Sequence, residues 1–345
     1  MTLLARNEAD IIDAHLAFHL NAGVDFVVAI DNGSDDGTTE ILESYARDGY
    51  VHITREEGDL MQADWVTQMA RRAATDFGAE WVINSDADEF WWPRGGSLKD
   101  VFAAVPARFG SLRGMWRHFA PRPDSEESFA ERMTVRVSNP GAENNSPYSP
   151  RFKAAHRADP EVSVLTGNHQ ALGRGLIPLR GWYPIDVLHF PIRSLRHFRE
   201  KYLRWWDLLQ TQFSAAAYEA ERHGRLREFY ESYVVDEEAL AKGLDDKTLA
   251  IDTRLRDALR ALRTEPGRGP RGFELPSDAR RLTFAGSAVD EDYLSEFATL
   301  EDGDPHVLAL RKADDLEARL AGLERRHASR ILGAVTGRAL RLKVG

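Results

Sequence analysis

Two aspartates separated by one residue, Asp86 and Asp88, are the side chains in this sequence best suited to metal chemistry. They follow a short apolar run, 81–83, that has the composition of a buried strand. Alternate residues of an extended segment share a face, so the two carboxylates point the same way. Mg²⁺ and Mn²⁺ prefer oxygen ligands and commonly join a protein carboxylate to substrate phosphates. The pair therefore predicts a divalent-cation site, with a solvated acidic turn as the alternative.

The elements around this pair alternate between strand and helix over the first ninety residues. Four segments have the composition of strands: 2–5, 24–30, 51–54 and 80–84. Between them lie helical patterns such as Ile12, Leu16 and Leu20, which repeat at four-residue steps. This order predicts a mostly parallel sheet with helices on both faces, and ligands bind such sheets beyond the carboxyl ends of the strands. We expect three polar clusters to meet at that rim: 6–8, 31–36 and 86–89.

The composition excludes several classes of protein and of metal site. Hydrophobic residues make up 43% of the 345 residues and charged residues 29%, an ordinary balance for a globular protein. The net charge of −10 argues against a nucleic-acid partner, and the absence of cysteine excludes disulfides and thiolate metal sites. No run approaches the roughly 20 apolar residues of a membrane-spanning helix. Arg6 interrupts the apolar start too early for a signal peptide, so a cytoplasmic location is expected.

Three stretches resemble the donor half of family-2-like glycosyltransferases with the GT-A fold. They are Leu4-Ala5-Arg6-Asn7-Glu8, the run 30–38, and Asp86-Ala87-Asp88-Glu89-Phe90. They occur in the family's order at similar spacing, and the last matches a bacterial subgroup whose metal motif reads Asp-x-Asp-Glu-Phe. The resemblance implies an α/β, Rossmann-like GT-A domain with a nucleotide-sugar-binding half over 1–95 and an acceptor-side half over 96–210. Residues 211–345, outside the resemblance, are expected to form a helical C-terminal extension with a basic tail.

The resemblance also implies roles for single residues at the strand ends. The nucleobase and ribose would be contacted by residues of the first two strand ends: Ala5, Arg6, Glu8, Asp31, Asn32 and Ser34. Asp86 would approach the ribose or the metal, and Asp88 would ligate Mn²⁺ or Mg²⁺ on the diphosphate. Many relatives carry two carboxylates where this chain has Asp31 and Asn32, so nucleobase recognition is expected to differ.

Later residues complete the implied site. GT-A enzymes often take a third metal ligand from a late histidine, and the stretch from Leu188 to Ser194 resembles the corresponding one of the subgroup, which favours His189. His169 is the alternative ligand, or an acceptor contact. In the basic run that follows, Arg193 and Lys201 are expected to neutralise the leaving diphosphate. The remaining cations of that run are expected to form the solvated face of an amphipathic helix.

Sugar transfer from a nucleotide donor needs two kinds of assistance. Breaking the bond between the anomeric carbon and phosphate builds charge on the diphosphate, which a divalent ion stabilises as a Lewis acid. Inversion also needs a carboxylate that accepts the proton of the acceptor hydroxyl. The candidate bases are Asp124, Glu126, Glu127 and Asp186, and the sequence does not choose among them.

These residues and the family resemblance together imply a metal-dependent, inverting glycosyltransferase. Its donor would be a nucleotide-diphosphate sugar and its acceptor a glycan or a lipid-linked glycan in bacterial surface-polysaccharide assembly. A nucleotidyltransferase of related fold is one alternative, although the segment after the first strand lacks the expected Gly-rich phosphate loop. A non-catalytic glycan- or nucleotide-binding protein is another, which the intact Asp86 and Asp88 disfavour.

The last segment, 325–345, contains six Lys or Arg residues and no acidic residue. Aliphatic residues separate the cations, which is typical of a helix lying on an anionic membrane surface. The sequence therefore allows a peripheral contact with the inner face of the plasma membrane. A plain helical or disordered tail is the alternative.

Overall fold

The computed structural model describes residues 1–58, 61–138, 148, 151–179, 182–209 and 212–264. The strands are β1 (Thr2–Ala5), β2 (Val27–Asp31), β3 (Val51–Arg55), β4 (Trp81–Asp86), β5 (Glu89–Pro93), β6 (Ser111–His118), β7 (Val135–Val137), β8 (Phe152–Arg157), β9 (Ser163–Val164), β10 (Ala171–Leu172), β11 (Ile185–His189) and β12 (Leu249–Ile251). The helices are α1 (Ile12–Ala22), α2 (Thr38–Arg47), α3 (Gln62–Thr75), α4 (Leu98–Ala104), α5 (Phe129–Arg132), α6 (Leu195–Leu209), α7 (Gln212–Arg222), α8 (Leu226–Glu231), α9 (Glu237–Asp245) and α10 (Arg254–Thr264).

A single large sheet organises the described part of the chain. It contains eight strands in the order β3-β2-β1-β4-β8-β6-β11-β5, and four of its seven strand pairings are parallel. The alternation β1-α1-β2-α2-β3-α3-β4 follows the sequence pattern, and every residue of β2 is buried, as expected for a strand covered on both faces. The predicted α/β class with a mostly parallel sheet is therefore confirmed.

The parallel strands bring the predicted rim together. In the register of β1 with its two neighbours, Ala5 lies opposite Asp31 and Leu4 lies opposite Asp86. The polar segments that follow these three strands therefore leave the sheet at the same edge. Gly23, in the left-handed region at φ 115°, ends α1 and allows the short connection back to β2.

The second half of the sheet positions the later residues. β8 is antiparallel to both of its neighbours, β4 and β6, and β11 runs parallel to β6 and antiparallel to β5. β5 follows β4 after a two-residue turn at Ala87 and Asp88. In the pairing of β5 with β11, Glu89 lies opposite His189. In the pairing of β6 with β11, His118 lies opposite His189. This register places Glu89, near the end of the Asp-x-Asp-Glu-Phe motif, beside His189, which lies a hundred residues later in the chain.

The described elements after residue 211 pack against the first two hundred residues. β12 pairs with β7, and α10 packs against α1 and α5. Leu255, Ala258 and Leu259 of α10 belong to the same buried cluster as the α1 residues Ile12 and Leu16. The predicted domain boundaries at 95 and 210 stay predictions, and the basic tail 325–345 lies outside the described residues. None of the helices in the described residues is both long and apolar enough to cross a lipid bilayer.

Candidate active site

The ends of β1 and β2 form a hydrogen-bonded unit around Asp31. The Asp31 carboxylate is fully buried and accepts hydrogen bonds from the hydroxyls of Ser34, at 2.5 Å, and Thr39, at 2.8 Å. Ser34 in turn accepts from the backbone N–H of Asn7 at 3.0 Å, and that of Glu8 donates to Thr38 at 2.8 Å. These contacts fix the loop after β2 against the end of β1. The predicted donor residues of both strand ends are thus neighbours.

Asn32 uses both halves of its amide. Its oxygen accepts from Nη1 of Arg6 at 3.3 Å, and its nitrogen donates to the carbonyls of Glu56 and Gly58 at 3.2 and 3.3 Å. A carboxylate at this position could not donate to those two carbonyls. The departure from the two-carboxylate pattern therefore has a local reason, since the amide ties β1 to the chain that follows β3.

A buried group of potential metal ligands lies at the end of β4. One ligand atom each from Asp88, Glu89 and His189 lies within 4.8 Å of the others, and the Nε2 of His189 is 3.7 Å from Oδ2 of Asp88. The backbone fixes the pair, because the N–H of Phe190 donates to the Asp88 carbonyl at 2.9 Å. Carboxylate oxygens with one imidazole nitrogen are a donor set that suits Mg²⁺ or Mn²⁺. The structure thus brings the predicted ligands Asp88 and His189 together and adds Glu89.

Asp86 lies next to this group, but its carboxylate forms hydrogen bonds with other side chains. Its Oδ2 is 2.6 Å from Nζ of Lys153, and its Oδ1 accepts from the amides of Asn168 at 3.0 Å and Gln62 at 3.5 Å. Both oxygens are therefore hydrogen-bonded within the protein. Asp86 remains a predicted donor or metal contact, although its present partners favour a role in holding the site together.

Lys153 was missed by sequence analysis and is among the most enclosed charges of the site. Its side chain is 1% exposed and its ammonium also lies 2.8 Å from Oε1 of Glu89. Burial disfavours this charge, yet Asp86 and Glu89 raise the pKa of Lys153 above its usual value. Burial raises the pKa of the Glu89 carboxyl, because it disfavours the charged form, and the Lys153 ammonium opposes that shift. The Trp116 indole N–H donates to the same Glu89 oxygen at 2.8 Å.

Residues of β6 hold the histidine of the ligand group. The Nδ1 atoms of His118 and His189 are 2.9 Å apart, a hydrogen bond that one of the two rings donates. The Trp116 ring stacks on His189 with the centroids 4.3 Å apart. Both contacts keep the Nε2 of His189 towards Asp88. Burial lowers the pKa of His189, against the pull of Asp88, and so favours the neutral ring that can bind a metal. The spacing of Trp116 and His118, which places both on one face of a strand, was the available sequence signal.

The two predicted diphosphate cations on and before α6 lie at this rim, each paired with a carboxylate. The Lys201 ammonium contacts Oδ2 of Asp88. Burial would raise the pKa of Asp88, but Lys201 and then His189 hold it well below its usual value. Arg193 is fully buried and binds Asp10 at 2.7 Å and Glu8 at 2.5 Å. Burial raises the pKa of Glu8 to about 7 despite Arg193.

The candidate bases differ in their surroundings. Asp186 is buried against three arginine side chains, at 3.6, 3.1 and 2.9 Å, from Arg94, Arg117 and Arg254. Burial would raise the pKa of Asp186, but the positive charge of the three arginines holds it far below its usual value. Three positions before His189 on β11, Asp186 faces the opposite side of the sheet. A strongly ionised carboxylate with these partners favours a structural role.

The remaining site predictions lie near the surface or beside the ligand group. Asp124 and Glu127 are exposed, as is Glu126. Asp124 accepts from Arg132 at 3.3 Å, and Arg132 also donates to the carbonyl of Arg193 at 3.1 Å, which connects this loop to the start of α6. His169, the alternative ligand, bonds the Phe152 carbonyl at 2.7 Å through Nδ1 and lies 5.3 Å from the Trp116 ring. It adjoins the ligand group without belonging to it.

Comparison with known proteins covers the part of this site that lies in the first 109 residues. Residues 4–109 match the sequence model described as glycosyl transferase family 2. This segment is a family-2-like glycosyltransferase domain. A glycosyltransferase family 92 protein of Oryza sativa subsp. japonica is 32% identical over 123 residues, which are 34% of this chain and 20% of that protein. The chain thus spans about a fifth of that relative.

Two solved structures align with part of this chain at low sequence identity. Mannosyltransferase PcManGT from Pyrobaculum calidifontis, in complex with GDP-Man and Mn²⁺, has 17% identity over 63% of each chain and a TM-score of 0.33. S. aureus TarS 1–349 has 13% identity over 61% of this chain and 66% of its own, with a TM-score of 0.31. The matched segment 4–109 contains the end of β1 and all of β2, β3 and β4, and Asp31, Asp86, Asp88 and Glu89 lie within it.

Proposed function

We propose that the protein is a metal-dependent, inverting glycosyltransferase that uses a nucleotide-diphosphate sugar. The observation that carries the proposal is the buried group Asp88, Glu89 and His189 at the carboxyl edge of the family-2-like domain. Asp88 and His189 would hold Mn²⁺ or Mg²⁺, with Glu89 beside them. The bound ion would stabilise the charge that builds on the leaving diphosphate.

The chain's own cations would share that task. Arg193 and Lys201 lie on the same side of the site as Asp88, and Nη1 of Arg193 has no hydrogen-bond partner among the described residues. A donor phosphate would supply acceptors for such groups. The strand-end unit around Asp31 and Asn32 would receive the nucleoside, because it borders the same edge of the sheet.

Asp124 is the proposed base of the reaction. It is exposed, and Arg132 connects its loop to Arg193 at the edge of the site. An acceptor hydroxyl approaching the anomeric carbon from the open side could pass its proton to this carboxylate. The proposed acceptor is a glycan or a lipid-linked glycan of bacterial surface-polysaccharide assembly. Contact of the 325–345 segment with the inner face of the membrane would bring the site to a lipid-linked acceptor.

The test is binding of nucleoside diphosphates with and without Mn²⁺. UDP and GDP are titrated by calorimetry into the wild type, Asp88→Asn and Asp48→Asn, a matched variant of an exposed aspartate. Asp88→Asn should remove the Mn²⁺-dependent part of the affinity and abolish transfer, while Asp48→Asn should bind as the wild type does. Full transfer in EDTA, or by Asp88→Asn, would refute metal dependence.

A further inference from the structure

The ammonium of Lys153 occupies a closed position between two carboxylates. It lies 2.6 Å from Asp86 and 2.8 Å from Glu89, and the side chains of Lys153 and Glu89 are 1% and 0% exposed. The ring of Trp116 covers it at 5.1 Å from the centroid. Lys153 belongs to β8, a central strand of the sheet, and the two carboxylates hold its ammonium in place.

Glu89 belongs to two groups at once. With Asp86 it surrounds Lys153, and with Asp88 and His189 it forms the candidate metal site. In sites that bind two divalent ions, carboxylates lie around ions about 3.5–4 Å apart. Here Glu89 is shared in a similar way: the Lys153 ammonium lies between Asp86 and Glu89, and Glu89 also lies within 4.8 Å of the ligand atoms of Asp88 and His189.

We propose that Lys153 is a built-in cation that takes the position of a second divalent ion and thereby limits this acidic cluster to one metal ion. The inference rests on the proposed function for the ion at Asp88 and His189. Lys153 neutralises Asp86 and Glu89 at every metal concentration, whereas an exchanging ion at Asp88 would take the place of the less enclosed Lys201 ammonium. In this view Lys153 is a positioning residue, because it acts on the site through Asp86 and Glu89.

The test is the number of Mn²⁺ ions bound per chain, followed by the electron paramagnetic resonance signal of free Mn²⁺ and by calorimetry. The wild type should bind one ion. Lys153→Met leaves the buried Glu89 and the half-buried Asp86 without their cation and should bind a second ion, or bind Mn²⁺ at least tenfold more tightly. Lys99→Met, which breaks an exposed lysine–aspartate pair with Asp25, should bind as the wild type does. The double variant Glu89→Gln/Lys153→Met removes one charge of each sign and should return to one ion.

Other outcomes separate this inference from the proposed function. A folded Lys153→Met that binds one ion with unchanged or weaker affinity overturns the role of Lys153, as does a double variant that binds two. If Lys153→Met unfolds in metal-free buffer, millimolar Mn²⁺ should restore its cooperative unfolding transition, and failure to do so also overturns it. A wild type that binds no Mn²⁺ would refute metal dependence instead, and a gain of one ion in Lys153→Met would then still support the built-in cation.

Discussion

Replacing His118 by phenylalanine tests how the ligand group is held. The change keeps an aromatic ring beside His189 but removes the 2.9 Å hydrogen bond between their Nδ1 atoms. Both residues are buried, at 1% and 7% exposure, so water does not readily replace the lost partner. A buried group left without its hydrogen bond costs about 1–3 kcal/mol. Because about 1.4 kcal/mol is tenfold in affinity, Mn²⁺ should bind roughly 5- to 150-fold more weakly.

An independent expectation agrees with this range. Loss of the group that orients a metal-bound histidine typically lowers metal affinity by about 10- to 100-fold. The assay is Mn²⁺ titration by calorimetry, with His118→Gln as the variant that keeps a hydrogen-bonding side chain and His223→Phe as a control on an exposed histidine. The glutamine variant should recover part of the affinity. An unchanged affinity in a folded His118→Phe would show that His118 does not position the ligand, and an equal loss in His223→Phe would point to a general effect.

Three further predictions follow from contacts of the site and core. Lys201→Met removes the ammonium on Asp88, so without nucleotide Mn²⁺ should bind about tenfold tighter, equivalent to about 1.4 kcal/mol. With Mn²⁺ present, UDP or GDP should bind more weakly to this variant, and calorimetry that shows neither change would contradict the pairing. Asp31→Ala removes the acceptor that orders the loop after β2 and should weaken UDP or GDP binding by about 1–3 kcal/mol, whereas equal affinity would place the nucleoside elsewhere. Burial lowers the pKa of His15 to about 3, so below about pH 6.5 the unfolded chain binds a proton that the native state refuses, and the free energy of unfolding falls with decreasing pH. Urea denaturation at pH 7 and 5 should show a smaller loss for His15→Gln than for the wild type, and equal losses would contradict this contribution.

The first half of the fold could be predicted because its information is local. The strands before Asp31 and Asp86 are apolar runs that end in polar clusters, and parallel strands bring such ends to one edge. That Asp88 and His189 would lie together was predicted only from the resemblance to a family. No local pattern reveals it, because the register of β5 with β11 joins segments a hundred residues apart.

The rest depends on pairings that no local pattern encodes. Lys153 stands in a short segment with Arg151, which has the appearance of a solvated stretch until β8 is placed between β4 and β6. The surroundings of Asp186 come from arginines on β6, near β5 and on α10, which are distant from it in sequence. Buried charges of this kind are recognised only when their partners are known.

The position of α10 affects how the chain folds as it is synthesised. α10 supplies Leu255, Ala258 and Leu259 to the core that covers α1, although α1 leaves the ribosome more than two hundred residues earlier. At roughly 5–20 residues per second, translation would leave that apolar surface incomplete for about ten seconds or longer. During this interval the nascent glycosyltransferase domain exposes a surface that chaperones bind, and release of a shortened chain would leave it exposed permanently.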